Sequence, residues 1–387
     1  MSTGTGTDLV WNDHERDRLA SNRPSNAPLA FHRRLPGYAS TPLVDGSSVA
    51  DQLGLGAVWI KDESLRLELP SFKMLGASWA TYRTLCDRLG ATPDWADVRE
   101  LAALLSGLRP LRLAAATDGN HGRAVARMAR LLDLDADIFV PSNMVGARID
   151  AIKSEGASVT VVDGDYDDAV RRSAEEAGDA CLVISDTSWP GYQEVPGWVI
   201  EGYSTIFWEI EAQAVAARLP PFEAVLVPMG VGALAAAAVG HFRAADTGPQ
   251  PAMIGVEPLS AECVIASIRS GRATGVPGPH DSIMAGLNCG LPSEIAWPVL
   301  RDGLTAAVGV DDDFARQGMR ILATLGIGAG ETGAASLGGL LALVAACTDE
   351  AERGRLGLTT DSSVLLLMTE GITDPVAYEA IVGTRPS

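Results

Sequence analysis

The sequence predicts an α/β protein with two mostly parallel, twisted sheets flanked by helices. Short aliphatic runs recur along the chain, glycine-rich turns follow several of them, and helical patterns lie between them. Strands that alternate with helices in this way are typical of parallel sheets that are covered on both faces. The length of 387 residues fits two domains or one large one, at roughly 150 residues per domain.

Eight aliphatic or β-branched runs are predicted to be strands. They are Ala57–Ile60, Leu111–Ala116, Asp137–Val140, Ser158–Val162, Cys181–Ser185, Ala224–Val227, Met253–Val256 and Val364–Met368. A helix is predicted over Asn120–Asp133, because Val125, Met128, Ala129 and Leu132 recur with the spacing of one helical face.

Two segments are predicted to lie outside the regular structure. The first ~30 residues are polar and contain Pro24 and Pro28, which predicts a partly disordered arm. Gly271–His280 is rich in glycine and proline and is predicted to be a flexible loop.

The composition excludes several classes of protein. Apolar residues make up 47% of the chain, which rules out a mostly disordered protein. The 30 Lys and Arg against 49 Asp and Glu leave a net charge of −19, which argues against nucleic acid and anionic membranes as partners. The longest uncharged stretches, Ala224–Gly240 and Thr332–Thr348, are shorter than the about 20 residues of a membrane span.

The N-terminal segment and the cysteines predict a cytoplasmic protein. The first residues carry charges where a secretion signal would be apolar. The five cysteines are widely spread and form no CxxC motif. They therefore predict free thiols, with neither a disulfide framework nor a zinc site.

Lysine is unusually rare in this chain. The sequence contains Lys61, Lys73 and Lys153 among 30 basic residues. Because arginine cannot replace a lysine that acts as a nucleophile, each remaining lysine is a functional candidate. Lys73 lies between Phe72 and Met74, and these apolar neighbours are expected to lower its pKa. The alternative is a surface lysine at the start of a helix.

A second candidate is the turn Ala116-Thr117-Asp118-Gly119-Asn120-His121-Gly122, at a predicted strand end that leads into a helix. Ligands of open α/β sheets bind at such strand ends, and the free N–H groups of a helix start bind carboxylates. The alternative is an ordinary capped turn in which Asp118 or Asn120 is the N-cap.

A third candidate is the strand, turn and helix start of Pro228-Met229-Gly230-Val231-Gly232-Ala233-Leu234. Backbone N–H groups at such a turn can bind a phosphate. No Gly-Lys-Ser/Thr follows, and Ala235 replaces the third glycine of a dinucleotide fingerprint, which argues against a Walker A loop and a dehydrogenase. Tight packing of helix on sheet is the alternative.

A fourth candidate is the end of the last predicted strand, Leu366-Leu367-Met368-Thr369-Glu370-Gly371. The Thr369 hydroxyl could bond to a ring nitrogen of a ligand. The alternative is a strand-end turn with Glu370 in solvent.

The order of these four candidates resembles the fold-type II, tryptophan-synthase β-like, pyridoxal-phosphate enzymes. Finer matches resemble the diaminopropionate ammonia-lyase branch. They are Phe31–Tyr38, Thr41–Leu43, Lys61–Ser64, Ala116–Arg123, Asp186–Trp189, Gly191–Tyr192, Gly202–Tyr203, Val256–Pro258, Ile283–Gly290, Thr369–Gly371 and Thr373–Pro375.

The resemblance implies a pyridoxal 5′-phosphate cofactor and a role for each matching residue. Lys73, next to Phe72, resembles the lysine that forms the Schiff base and that removes and returns the Cα proton. Asn120 resembles the contact to the cofactor 3′-hydroxyl. Thr369 resembles the hydroxyl that faces the pyridine nitrogen and so favours elimination over transamination. The implied phosphate-binding residues are Gly230, Val231, Gly232, Ala233 and Leu234.

The resemblance also implies where the substrate binds. Asp118 resembles a second acid/base and a partner for a substrate ammonium, and Asp186 resembles a further catalytic carboxylate. The implied substrate-binding residues are Thr117, Asp118, Gly119, His121, Asp186 and Tyr192. Two positions depart from the family pattern: Ile372 replaces an aspartate, and Glu68 stands where glycine is usual.

The implied activity is the α,β-elimination of D- or L-2,3-diaminopropionate to pyruvate and ammonia. The alternatives are another elimination or replacement on a β-substituted amino acid, such as serine or threonine dehydration, and a non-catalytic binding relative. The implied domains are a large cofactor-binding domain of residues 1–75 and 190–387 and a small mobile domain of residues 76–189. The resemblance further implies a homodimer.

Overall fold

The computed structural model of the protein describes residues 6–16 and 18–384. It divides into two compact units. Unit 1 comprises the described residues up to Ser25, residues Ser40–Leu65 and the described residues from Ile206 onward. Unit 2 comprises Asn26–Ala39 and Arg66–Thr205. The large and small functional domains, with boundaries at residues 75 and 190, stay a prediction.

The strands alternate with helices along the described chain. The strands are β1 (Thr7–Trp11), β2 (Leu43–Asp45), β3 (Ala57–Asp62), β4 (Arg112–Ala116), β5 (Asp135–Pro141), β6 (Ser158–Val162), β7 (Cys181–Val183), β8 (Ala224–Pro228), β9 (Ala252–Pro258), β10 (Ala306–Val310) and β11 (Ser363–Met368).

The helices are mostly short, and several connect consecutive parallel strands. They are α1 (Ala27–His32), α2 (Ser47–Leu53), α3 (Lys73–Leu89), α4 (Val98–Leu104), α5 (Asn120–Leu131), α6 (Gly146–Lys153), α7 (Tyr166–Ala174), α8 (Glu194–Ala217), α9 (Ala233–Phe242), α10 (Cys263–Ser270), α11 (Trp297–Gly303), α12 (Asp312–Thr324), α13 (Ala335–Ala346), α14 (Glu350–Arg355) and α15 (Pro375–Val382). Among these, none is long and apolar enough to cross a membrane.

Unit 1 contains a seven-stranded sheet in the order β1-β10-β9-β8-β11-β3-β2. Its five central strands are parallel, and the two edge strands, β1 and β2, pair antiparallel. The central strands β8, β10 and β11 are buried along their whole length. That burial explains why β8 and β11 read as continuous apolar runs rather than as alternating patterns.

Unit 2 contains a four-stranded, wholly parallel sheet in the order β6-β5-β4-β7. Strand β4 lies between β5 and β7, so its carboxyl end, where α5 begins, is next to the carboxyl end of β7. This topology brings the turn after β4 close to the turn after β7. Side chains that are remote in sequence can therefore meet at one edge of the sheet.

The predicted fold class is confirmed, and all eight predicted strands are present. Strands β1, β2 and β10 escaped prediction. Strand β10 is Ala-Ala-Val-Gly-Val, a composition with little strand propensity, and its burial between β1 and β9 decides its conformation. Strand β1 lies inside the predicted arm, where pairing with β10 orders it.

One of the rare lysines is buried in unit 1. Lys61 is on β3 and is fully buried. Its Nζ donates to Glu209 Oε2 at 2.8 Å, to the Thr41 carbonyl at 2.8 Å and to Gln213 Oε1 at 3.0 Å. All three ammonium hydrogens thus have acceptors. The ion pair with Glu209 connects β3 to α8. Lys61 therefore has a structural role in unit 1.

We expect Lys61→Met to destabilise the protein by about 3 kcal/mol, because it leaves the Glu209 carboxylate buried without its cation. The midpoint of urea unfolding measures the loss. Lys153→Met is the matched control, since Lys153 is exposed and its replacement should change the stability by less than about 0.5 kcal/mol. Equal midpoints for the two variants would contradict the structural role of Lys61.

Candidate active site

Lys73 is the first residue of helix α3 and forms a buried ion pair in unit 2. Its Nζ lies 2.6 Å from Asp186 Oδ2, and the two side chains are only 17% and 6% exposed. Asp186 lies three residues after the end of β7. The interpretation of Lys73 as a surface lysine is therefore wrong. The helix begins at Lys73, so the side chain leaves from the first turn.

Two further side chains approach the Asp186 carboxylate. The Tyr166 hydroxyl donates to Asp186 Oδ1 at 3.1 Å, and His121 Nδ1 lies 3.9 Å from Oδ2. Tyr166 was not a candidate in the sequence. It is the first residue of α7, which starts with a capping box at Asp165 and Asp168. That capping box fixes where the helix starts and therefore where Tyr166 leaves the backbone.

The charges of the pair contradict the pKa expected for Lys73. Burial by itself would lower the pKa of the Lys73 amine, but the Asp186 carboxylate, with smaller contributions from Tyr203 and Asp118, outweighs burial and raises it. Burial would likewise raise the pKa of Asp186, and the Lys73 ammonium outweighs it and lowers that pKa. Lys73 is thus an ammonium at neutral pH. The prediction from Phe72 and Met74 was wrong because the carboxylate is remote in sequence.

The turn between β4 and α5 presents an uncapped helix N-terminus. Gly119 is the N-cap, with φ +144°, and no side chain caps the helix. The alternative of Asp118 or Asn120 as N-cap is therefore wrong. Thr117 is buried, and its Oγ1 accepts from the Gly119 N–H at 2.8 Å. The first turn of α5 contains no acidic residue, so its N–H groups remain suited to an anion.

Asp118 lies in the same turn, and the charge of Lys73 acts on the pKa of its carboxyl group. Asp118 is partly buried. Burial raises the pKa of its carboxyl, and the cations Lys73 and Arg148 partly oppose that rise. The structure thus places Asp118 near the ion pair. A carboxyl group with a raised pKa is suited to exchange protons.

His121 and Tyr192 brace the loop that carries Asp186. His121 Nε2 lies 2.7 Å from the Ile184 carbonyl. The Tyr192 hydroxyl donates to the Val183 carbonyl at 2.6 Å and accepts from the Ser185 N–H at 3.2 Å. These bonds fix the three residues of backbone that directly precede Asp186. The predicted contacts of His121 and Tyr192 with substrate stay a prediction.

In unit 1 the predicted phosphate-binding turn joins β8 to α9. Gly232 is the N-cap of α9 with φ +90°, no side chain caps the helix, and its first turn contains no acidic residue. A Cβ atom on Gly232 would lie 2.5 Å from Leu300 Cδ1, and one on Gly230 would lie 3.0 Å from Cys289 Sγ. Gly232 therefore requires glycine, and Gly230 leaves little room for a side chain. The uncapped turn presents backbone N–H groups that suit an anion.

Thr369 follows β11, the neighbour of β8 in the sheet of unit 1. It is buried, and its Oγ1 lies 3.5 Å from the Thr332 carbonyl. The parallel pairing places the ends of β8 and β11 at one edge of the sheet. Glu370 is buried, not solvated, and accepts a bond from Thr373 Oγ1 at 3.1 Å, so the strand-end alternative is wrong about Glu370.

Comparison with known proteins identifies the class. The family model "Pyridoxal-phosphate dependent enzyme" matches residues 34–358, so the chain belongs to the pyridoxal-phosphate-dependent enzymes of fold type II.

Within that family the chain is similar to diaminopropionate ammonia-lyases. It is 37% identical to the diaminopropionate ammonia-lyase of Salmonella typhimurium, over 94% of this chain and 93% of the relative. The Escherichia coli enzyme is 35% identical over 95% and 93%. The crystal structure of the Escherichia coli enzyme with D-serine superposes with a TM-score of 0.89, at 32% identity, over 97% of this chain and 96% of that one. These findings confirm the resemblance drawn from the motifs.

The residues present fit pyridoxal phosphate. The start of α9 has no side-chain cap and no acidic residue in its first turn, so its N–H groups and positive partial charge suit a phosphate. Lys73 supplies the primary amine, and Thr369 supplies an uncharged hydroxyl at a buried strand end. Residues 6–16 and 18–384 contain no group of three His, Cys, Asp or Glu side chains placed to hold a metal ion.

The two departures from the family pattern have different structural consequences. Glu68 has φ +63°, a conformation that favours glycine, and its side chain is mostly exposed, 3.5 Å from Arg127. It retains the backbone shape that the usual glycine would adopt. Ile372 packs against the hydrophobic core of unit 1. It therefore adds apolar surface three residues after Thr369, where the family pattern has a charge.

We expect Gly232→Ala to lower the affinity for pyridoxal phosphate by at least about tenfold, because the positive φ and the clash with Leu300 force the turn to move. Titration of the apo-protein with the cofactor, followed by absorbance, measures the affinity. Gly240→Ala in the same helix is the matched control, since its Cβ would meet nothing within 4 Å. A wild-type affinity for Gly232→Ala would remove this turn as the phosphate site.

The Lys73–Asp186 pair should give the apo-protein a characteristic pH profile. Folding lowers the pKa of Asp186 from 3.8, so its contribution to stability is present above that value and is lost as the pH falls through the folded pKa. Folding raises the pKa of Lys73 from 10.5, so its contribution is present below that value and is lost as the pH rises through the folded pKa.

Asp186→Asn should therefore destabilise the apo-protein by about 3 kcal/mol between about pH 5 and 9, and the difference from wild type should shrink towards acid and strong alkali. Thermal unfolding across this pH range measures it. Asp179→Asn removes an exposed ion pair with Arg88 and should cost less than about 1 kcal/mol. A pH-independent difference for Asp186→Asn would argue against the ion pair.

Proposed function

We propose that the protein is an ammonia-lyase that eliminates the β-amine of 2,3-diaminopropionate and yields pyruvate and ammonia. The observation that carries the proposal is the second carboxylate, Asp118, placed beside the Lys73–Asp186 ion pair. The 35–37% identity to diaminopropionate ammonia-lyases over nearly the whole chain supports it.

Each group of the cofactor has a candidate partner. Lys73 would hold the cofactor covalently through its amine, beside Phe72. Asn120 would contact the 3′-hydroxyl, and Thr369 would face the pyridine nitrogen. The backbone N–H groups of the turn Gly230–Leu234 would bind the phosphate. The mostly buried amine of Lys73 and the uncapped start of α9 support these assignments.

The bound pyridoxal phosphate supplies an electron sink for the pair left at Cα when its proton is removed. Lys73 Nζ takes that proton from the L-isomer, and the Asp118 carboxylate takes it from the D-isomer, because the two isomers present the proton on opposite faces. The uncapped start of α5, formed by Gly119 and Asn120, binds the substrate carboxylate.

The leaving amine determines what the second carboxylate does. An amine must be protonated before it departs, and a carboxylate that pairs with the ammonium keeps it in that form. Asp118 can hold the ammonium directly. Asp186 forms an ion pair with Lys73 whenever the lysine is protonated, at the observed distance of 2.6 Å. The aminoacrylate released into water hydrolyses, so that each substrate and one water give one pyruvate and two ammonia.

Dehydration of serine or threonine is the main alternative activity. A hydroxyl leaving group gains little from a carboxylate partner, whereas an ammonium gains a charge-assisted hydrogen bond. Asp118 thus favours a β-amine. The solved complex of the Escherichia coli relative with D-serine makes serine the relevant competitor to test. A non-catalytic relative would have no need of a buried lysine that is held by a carboxylate.

The test compares substrates on the holoenzyme. Pyruvate and ammonia are measured with D- and L-2,3-diaminopropionate and with D- and L-serine. A ratio of two ammonia per pyruvate, and kcat/KM at least about a hundredfold higher for diaminopropionate, is the expected result. Higher efficiency with serine would replace the proposal by a dehydratase. Absence of pyruvate from every substrate, with the cofactor bound, would favour the binding relative.

Variants of the two proposed bases, Asp118 and Lys73, should affect turnover of the D- and L-isomers differently. We expect Asp118→Asn to lower kcat for the D-isomer by at least about a hundredfold and to affect the L-isomer much less. Lys73→Ala should abolish turnover of both, since Lys73 also holds the cofactor. Steady-state rates with each pure isomer provide the measurement, and Lys153→Ala, at an exposed position, is the control. An equal loss for both isomers in Asp118→Asn would reject the two-base arrangement.

We infer a homodimer and a cytoplasmic location. The dimer is inferred from the resemblance to the family. The location is supported by the five cysteines, which are all buried free thiols, as expected in a reducing compartment. The mass of the holoenzyme in solution and fractionation of the source cells test the two inferences.

A further inference from the structure

One buried hydroxyl near the active lysine has no role in the structure. Tyr203 lies in helix α8 and is fully buried, and among the described residues its hydroxyl has no hydrogen-bond partner. A buried polar group without a partner costs free energy, and native proteins contain few of them. Phenylalanine would fill the same space without that cost, so the hydroxyl calls for a function.

The geometry places this hydroxyl beside the start of helix α3. The Tyr203 ring centroid lies 4.8 Å from that of Phe72, and Lys73 Nζ lies 5.5 Å from the same Phe72 ring. At Gly76, one turn after Lys73, a Cβ atom would lie 2.7 Å from Tyr203 Cζ. Because Cζ carries the hydroxyl, the polar end of the ring passes α3 at the first turn, where the Lys73 side chain begins.

The charges around Tyr203 are those of the active site. Burial raises the pKa of its hydroxyl, Lys73 opposes that rise, and Asp186 and Asp118 add to it. The phenol therefore stays protonated and neutral at the pH of catalysis. Its oxygen can accept a hydrogen bond, and the nearby Lys73 nitrogen is a suitable donor, as an ammonium or as an amine.

We propose that Tyr203 is a positioning residue for Lys73: its hydroxyl accepts a hydrogen bond from Nζ whenever the lysine is not held by Asp186. A lysine side chain has a flexible stem of four carbon atoms, so its amine is no longer fixed in position when its ion-pair partner is absent. Phe72 and Gly76 fix the Tyr203 ring, so the hydroxyl offers a rigid second acceptor. The free amine then stays within reach of the Cα proton.

The inference rests on the proposed function only for the substrate used to measure rates. Its first test therefore uses apo-protein without substrate. With three lysines in the chain, isotope-labelled lysine gives three side-chain NMR signals, and Lys73→Ala assigns the one in question. In an Asp186→Asn background, where the ion pair is absent, adding Tyr203→Phe should lower the pKa of Lys73 by about half a unit or more.

Thr81→Val is the matched control. Thr81 lies two turns beyond Lys73 on the same helix, is fully buried, and likewise has a hydroxyl without a partner among the described residues. Removal of either hydroxyl should raise the melting temperature of the apo-protein by about 2–4 °C. Only Tyr203→Phe should move the pKa of Lys73, and Thr81→Val in the Asp186→Asn background should leave it unchanged.

The second test measures turnover of the holoenzyme. Tyr203→Phe should lower kcat for L-2,3-diaminopropionate by about tenfold with KM nearly unchanged, and Thr81→Val should keep the wild-type rate. An unchanged pKa of Lys73, a shift that Thr81→Val reproduces, or an unchanged kcat overturns the inference. A wild-type holoenzyme that releases no pyruvate instead refutes the proposed function, and the pKa measurement still decides on Tyr203.

Discussion

The candidate active site of unit 2 depends on one buried ion pair. Burial opposes both charges of Lys73 and Asp186, and their attraction at 2.6 Å outweighs burial for each. Three neighbouring side chains hold the Asp186 carboxylate of this pair in position. Tyr166 satisfies the second carboxylate oxygen, and His121 and Tyr192 hold the loop that carries it. A lysine kept charged in this way is held at one place by its carboxylate partner.

The two candidate anion-binding turns of this strongly acidic chain present backbone N–H groups rather than basic side chains. The helices α5 and α9 each begin at a glycine with positive φ, without a side-chain cap and without an acidic residue in the first turn. Each follows the carboxyl end of a parallel strand, which is where such sheets bind ligands. A net charge of −19 is thus compatible with a phosphate ligand and a carboxylate substrate, because helix N-termini supply local positive potential.

Most of the fold was readable because its signals are local. Eight strands that pair in parallel appear as aliphatic or β-branched runs, and all eight are present. The glycines at 119, 230 and 232 indicated the two candidate ligand-binding turns, and both turns lie at helix starts. What escaped was decided by partners remote in sequence. Strand β1 is ordered by β10, some 300 residues away, and β10 itself, with glycine and alanine, is a strand because its neighbours bury it.

The sequence by itself determined the fold class, the family and which glycine-rich turns are candidate ligand-binding turns. Those features follow from residue type and spacing along the chain. Only the tertiary structure decided the charge of Lys73, since its neighbours Phe72 and Met74 predicted a lowered pKa and Asp186, 113 residues on, reverses it. Only the structure brought Tyr166 and Tyr203 to the site. Electrostatic energy depends on distance in space and on burial, and neither can be read from a linear order of residues.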